Sequence, residues 1–262
     1  MAILLRLAIL CLAAVPAWAD ALTEWHPRAA DLCLRPPYQS ATTDAQRELR
    51  SLVTEIEALA PGEDPLLGAL RARGTALCVE DRPSVARGSY EVDSNLIALR
   101  ASLDAGAKLL ILIHELRHLD QYGRGFCPST DYDMSEMARF TFMVEADAQA
   151  IATYYAWQLA EAGHPGAWEA VRAMPEYADV AASFERAVAE GAAPDIAVAA
   201  AFDRWFASPW RVETYRFSAC AAYLDRLDAT KRLRSYDQLP QDYFETLCRL
   251  PDGTPYRCEA PD

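Results

Sequence analysis

In the stretch LLILIHELRHLDQYG, residues 109–123, two of the chain's four histidines, His114 and His118, stand four residues apart, and Glu115 directly follows the first. On an α-helix, residues at that spacing differ by about 40° around the axis and face the same way. Two imidazoles then turn toward one ion, an arrangement suited to zinc. Glu115 sits beside the first ligand, placed to reach a water on the metal without binding the metal itself. There it would take the water's proton and later hand it to a leaving amine, because zinc lowers the pKa of such a water to about 7. The competing reading is a core helix whose histidines align by chance. Leu109, Leu110, Ile111, Leu112 and Ile113 form an apolar run, so the helix is central to the core. Two imidazoles, a carboxylate and the Arg117 guanidinium buried there without partners would cost several kcal/mol. A metal and the groups around it relieve that cost.

A hydrolytic zinc site needs a third protein ligand and one position left for water. One common arrangement puts a third histidine six residues after the second and a glycine three residues after it. Here those positions are Arg124 and Gln121, which excludes that class. The alternative is a carboxylate from a following helix. The segment FMVEADAQAIA, 142–152, offers Glu145 among apolar neighbours, with small alanines that let two helices approach. Asp147 is the rival ligand, but it lies about 200° from Glu145 around a helix, so only one of them can face the ion. Gln149 shares the Glu145 face and is positioned to orient a ligand from behind.

HELRH followed 27 residues after His118 by VEADAQA resembles the gluzincin group of zinc metallopeptidases, whose third ligand is a glutamate on a downstream helix. More narrowly, HELRHLDQ, EADAQA, the aromatic-rich RWFASPWRVETY and the N-terminal leader are similar to an uncharacterised family of exported bacterial metallopeptidases. The group-level resemblance covers mainly residues 88–152. It implies a zincin-like core, with His114, His118 and Glu145 as ligands and Glu115 as general base. It also implies that the strand before the histidine helix, over 94–100, lines a cleft and pairs with an extended peptide. The chain departs from the group's pattern at Gln149, where an aspartate is often found four residues after the glutamate.

Acyl transfer also needs a donor aimed at the developing oxyanion. In SPWRVETYRF, 208–217, helical spacing puts Arg211 and Tyr215 on one face, and Tyr90 is a weaker candidate from the strand side. The bland reading of all three is packing or ion pairing. Asp120 and Gln121 read as helix-surface groups or as supports for a ligand, and His26 and His164, beside prolines, as surface residues.

These side chains must be positioned by a frame that the periodicity predicts to be α+β and mostly helical. Thr43-x-x-Gln46 is a capping box that opens a helix over 43–60, ended by Pro61-Gly62. Residues 76–81 and 88–100 read as a small antiparallel strand pair joined by a turn around Arg82-Pro83. Ser102 is a cap for the histidine helix, and Gly123 its stop. Asp133-x-x-Glu136 reads as a second capping box, before a long helix over 134–162 that Gly163-His164-Pro165-Gly166 breaks. An alanine-rich helical stretch then runs to about 235 with breaks near 191–194 and 208–209. The organisation expected is a signal peptide over 1–19, a catalytic core over 20–162 and a helical C-terminal part over 163–262 packed on it.

MAILLRLAILCLAAVPAWAD reads as a secretory signal cut after Ala19, which makes the chain periplasmic or secreted with no stable membrane insertion after cleavage. Its removal takes away Arg6 and no acid, so the net charge moves from −13 to −14. Such acidity repels phosphate backbones and argues against nucleic acid as a partner. Six cysteines remain, Cys33, Cys78, Cys127, Cys220, Cys248 and Cys258, an even number that reads as three disulfides. Cys248 and Cys258 enclose a turn-rich loop and are the pair the sequence favours. The expected function is amide hydrolysis by a zinc metallopeptidase acting on a peptide or protein. The rivals are a non-catalytic metal-binding relative, a zinc hydrolase acting on cell-wall peptide, and a helical binding module without metal.

Overall fold

The apolar run leading into the two histidines is the middle of a helix, and the rest of the chain is arranged around it. A computed structural model of the protein describes residues 25–26, 28–80 and 86–259. The expected signal peptide and the turn at Arg82-Pro83 lie outside the described residues. A one-turn α1, Ala29–Leu32, leads through β1, Cys33–Leu34, to α2, Asp44–Glu57, and α3, Pro65–Arg73. The capping box forms as expected: the Thr43 side chain accepts from the Gln46 N–H while the Gln46 amide reaches back to the Thr43 backbone.

The strands are β2, Ala76–Glu80, β3, Gly88–Glu91, and β4, Leu96–Arg100, in one four-stranded sheet ordered β1-β2-β4-β3. The α+β class holds, but the sheet is larger and more mixed than a strand pair. The segment 88–100 is a hairpin, turned at Val92–Asn95 with Asn95 at φ 47°. β3 pairs antiparallel with β4, which therefore runs parallel to β2. This corrects the strand expected to meet a peptide. β4 is flanked on both sides and has no edge to offer, whereas β3 is the terminal strand. The buried runs of β2 and β4 suit interior strands covered on both faces, a pattern that does not by itself reveal direction.

The histidine helix is α4, Ala105–Gly123. Its cap is Asp104, whose side chain accepts from the Ala107 N–H at 2.8 Å; Ser102 lies two residues too early to be that cap. Gly125, at φ 95°, makes the stop in place of Gly123. The long helix is α5, Met134–Glu161, capped by Asp133 through the Ser135 N–H. Glu136 does not close a box there, because the Asp133 N–H already donates to the Asp237 carbonyl at 2.7 Å. Then follow α6, Gly166–Ala173, α7, Ala178–Ala189, α8, Pro194–Trp205, and α9, Pro209–Thr230. The breaks expected near 191–194 and 208–209 are present, and another falls at 174–177.

α4 packs on α5, α6 and the sheet, and α5 packs on α8 and α9. Where α4 and α6 begin, Gly106 and Gly166 touch backbone to backbone. A Cβ on Gly106 would lie 2.4 Å from the Gly166 carbonyl oxygen. Cys33–Cys78 ties β1 to β2, and Cys248–Cys258 closes the C-terminal loop as favoured. The six cysteines do not all pair with one another, because Cys220 carries a free thiol. Among the described residues no helix is long and apolar enough to cross a membrane.

Candidate metal centre

Helical spacing puts His114 and His118 on the same buried face of α4, with their Nε2 atoms 3.0 Å apart. α5 crosses that face and brings in Glu145. Its Oε2 lies 3.4 Å from His114 Nε2 and its Oε1 3.5 Å from His118 Nε2. Among the described residues, these three side chains form a group whose ligand atoms all lie within 4.8 Å of one another. Donors held at about 2.0–2.1 Å around a tetrahedral zinc stand roughly 3.3 Å apart, so two imidazole nitrogens and a carboxylate oxygen at these separations fit that ion.

The electrostatics of the three are coupled. Burial pulls the His118 imidazole down, but the Glu145 carboxylate outweighs it and the net effect is a rise to about 9. Burial pushes the Glu145 carboxyl up, and the two imidazoles override that and hold it well below the usual carboxylate range. This is the charge pattern of a site that keeps an anion against two imidazoles.

Glu115 is buried beside them. Burial lifts its carboxyl above the usual range, against the pull of both imidazoles and, more weakly, of the Tyr90 backbone. The edge strand β3 thus lies against α4 at the glutamate. Gly88 makes that approach possible, because a Cβ there would sit 2.4 Å from Ile111 Cγ2 and 3.4 Å from Glu115 Cγ.

Asp147, the rival ligand, points the other way. Its carboxylate has no exposed surface and accepts from Arg117 Nε at 2.7 Å, Arg117 Nη2 at 2.9 Å, Gln121 Nε2 at 2.6 Å and the Tyr256 hydroxyl at 2.5 Å. The roughly 200° between positions two apart on a helix is the cause. Gln149 does not back a histidine; its amide faces Thr153 Oγ1 at 3.4 Å, one turn along α5. The residue behind His118 is Gln121, whose Oε1 lies 2.8 Å from His118 Nδ1. Its place one turn after His118 was the available signal. Asp120 stays at the helix surface, paired with Arg117 and Arg124 at 3.0 Å each.

Arg211 and Tyr215 part company. Arg211 is 1% exposed, and all five of its N–H groups are engaged. They meet Asp179 Oδ1 and Oδ2 at 2.8 and 2.9 Å and the carbonyls of Trp205, Glu176 and Arg204 at 2.7, 2.5 and 2.9 Å. That geometry matches the ion-pair reading and leaves no donor for an oxyanion. The Tyr215 hydroxyl lies 2.9 Å from that of Tyr177, a residue that sequence reasoning missed because it sits in the unforeseen break before α7. Burial first, then the charge of Glu145, pushes the Tyr215 phenol well up. Tyr177 rises to about 12, again mainly through burial. The Tyr90 hydroxyl is turned toward Arg73, 3.4 Å away, and its ring packs on Tyr122. His164 is exposed as expected. His26 is buried, with Nδ1 accepting from the Arg28 N–H at 2.9 Å, because a local turn folds the ring inward.

No curated protein and no solved structure matches this chain. A family profile does, and it spans the sheet, both helices of the candidate centre and the C-terminal loop behind them. Across residues 27–258, the chain belongs to the family described as "Putative metallopeptidase family (DUF6782)".

Proposed function

We propose that the protein is an exported zinc metallopeptidase of gluzincin type, with His114, His118 and Glu145 as the metal ligands and Glu115 as general base. The observation that carries this reading is the arrival of the Glu145 carboxylate, from a separate helix, within 3.5 Å of both imidazole Nε2 atoms. Zinc bound there would supply a Lewis acid and a water acidic enough to react at neutral pH. The chain's own residues do the rest. The Glu115 carboxylate, buried beside the imidazoles, would take a proton from such a water and deliver it to the departing amine. Tyr177 and Tyr215, their hydroxyls 2.9 Å apart and protonated at neutral pH as phenols ordinarily are, would offer a hydroxyl to the developing oxyanion. An extended peptide or protein segment would add to the outer edge of β3, the terminal strand next to Glu115. Export, to the periplasm or outside the cell, is supported by the signal-like residues 1–19 and by the disulfides Cys33–Cys78 and Cys248–Cys258.

The deciding experiment measures zinc content and turnover of a peptide library together. Wild type should hold one zinc and cleave. Glu115→Gln should keep the zinc and lose activity by about 10²–10⁴-fold, the usual worth of a positioned general base. Full turnover in that variant removes Glu115 from the mechanism, and a zinc-loaded wild type that cleaves nothing favours the non-catalytic relative.

A further inference from the structure

The geometry points to Gln121 as a positioning residue that commits His118 to present Nε2 to the metal, its own amide held in one orientation by Asp147 and the C-terminal loop. This rests on the ligand reading above, and goes beyond it to what fixes one ligand's tautomer.

The two ends of a glutamine amide are told apart by their neighbours. One end of Gln121 lies 2.9 Å from the Val144 carbonyl and 2.6 Å from Asp147 Oδ2. A carbonyl and a carboxylate only accept, so that end is the NH₂. The other end, 2.8 Å from His118 Nδ1, is therefore the carbonyl oxygen, which also only accepts. The proton between them belongs to His118 Nδ1. In the neutral ring that a metal requires, Nε2 is then the nitrogen with the lone pair, on the side where His114 and Glu145 stand.

Asp147 fixes the polarity of this relay. Each of its oxygens takes two donors, Arg117 Nε and Gln121 Nε2 on Oδ2, and Arg117 Nη2 and the Tyr256 hydroxyl on Oδ1. The Arg117 guanidinium that neutralises it also donates from Nη2 to the carbonyls of Leu247 and Arg249 at 3.1 and 3.0 Å. The relay therefore runs from His118 through Gln121 and Asp147 to Tyr256, inside the loop closed by Cys248–Cys258. That loop, more than a hundred residues from the histidines, is the outer support of the metal centre.

The test is zinc affinity, measured by competition with a chromophoric chelator on chelator-stripped full-length protein, beside circular dichroism and thermal melts. Gln121→Leu should bind Zn²⁺ about 10–100-fold more weakly while remaining folded, as expected on loss of a ligand's hydrogen-bonded support. Tyr256→Phe, which deletes only the hydroxyl at the far end, should weaken binding in the same direction by a smaller factor. Unchanged zinc affinity in folded Gln121→Leu overturns the inference, even if its melting temperature falls. Should Gln121→Leu not fold, Tyr256→Phe decides, and wild-type affinity there is equally fatal. A wild type that takes up no zinc overturns the ligand reading, and this inference with it.

Discussion

Glu145 and His114 meet across a helix–helix contact, Oε2 to Nε2 at 3.4 Å, 31 positions apart in the chain. Neither helix holds three donors alone. The contact completes the group and, on the proposed reading, ties metal binding to the docking of α5 on α4. On the proposed reading, Glu145→Ala should lose zinc by more than the roughly 10–100-fold that removal of an outer support costs. The same chelator competition reads this. Wild-type affinity in Glu145→Ala would exclude it as a ligand.

The tyrosine pair carries a separate prediction. If one hydroxyl serves the oxyanion, Tyr215→Phe or Tyr177→Phe should lower kcat by about 10²–10³-fold with little change in KM. Zinc content should be untouched. Wild-type kcat in both variants would return the pair to a packing role.

Gly88 tests the placement of the edge strand. A Cβ at that position collides with Ile111 Cγ2 at 2.4 Å, so Gly88→Ala should cost about 1–3 kcal/mol through overpacking. It should also lower turnover, because the added Cβ would press on Glu115, whose Cγ lies 3.4 Å from it. Thermal melts and steady-state kinetics on one preparation check both. A fully active, fully stable variant would mean that β3 need not sit so close.

Asp179 and Arg211 predict an acid limb of stability. Partial burial pushes the Asp179 carboxyl up, but Arg211, with Arg204, holds the net value below its ordinary 3.8. A carboxyl with a depressed folded pKa contributes fully above the unfolded pKa, and that contribution is lost as pH falls through the folded value. Asp179→Asn leaves the buried guanidinium short of its counter-charge and should cost about 1–3 kcal/mol at pH 7. The difference from wild type should shrink below about pH 4. Denaturant melts at pH 7 and pH 3 would show it, and a gap that widens in acid would refute the assignment.

How much of this was legible beforehand follows the range of each interaction. His114, Glu115 and His118 share a helix, and the angle between positions three and four apart is a property of the backbone alone. The Thr43–Gln46 box and the Asp133 cap are equally local. Glu145 was favoured for its apolar, alanine-lined surroundings, which is a weak argument about a neighbour not yet identified. Local patterns misled where a distant group intervened, as at Glu136, where Asp237 takes the amide a capping box needs. They also misled at 88–100, where the short strand GSYE and the apolar strand LIALR, with a turn between them, were read as one strand.

The sequence by itself determined that this chain has a helix with two imidazoles and a carboxylate on its buried side, because helical periodicity needs no partner to be expressed. Only the tertiary structure decided which acid joins them, that β3 is the exposed edge, that Arg211 is spent on Asp179, and that Tyr256 reaches Asp147 from 109 positions away. Those outcomes depend on how separate elements dock, and docking is set by the packing of whole surfaces that no short stretch of the chain contains.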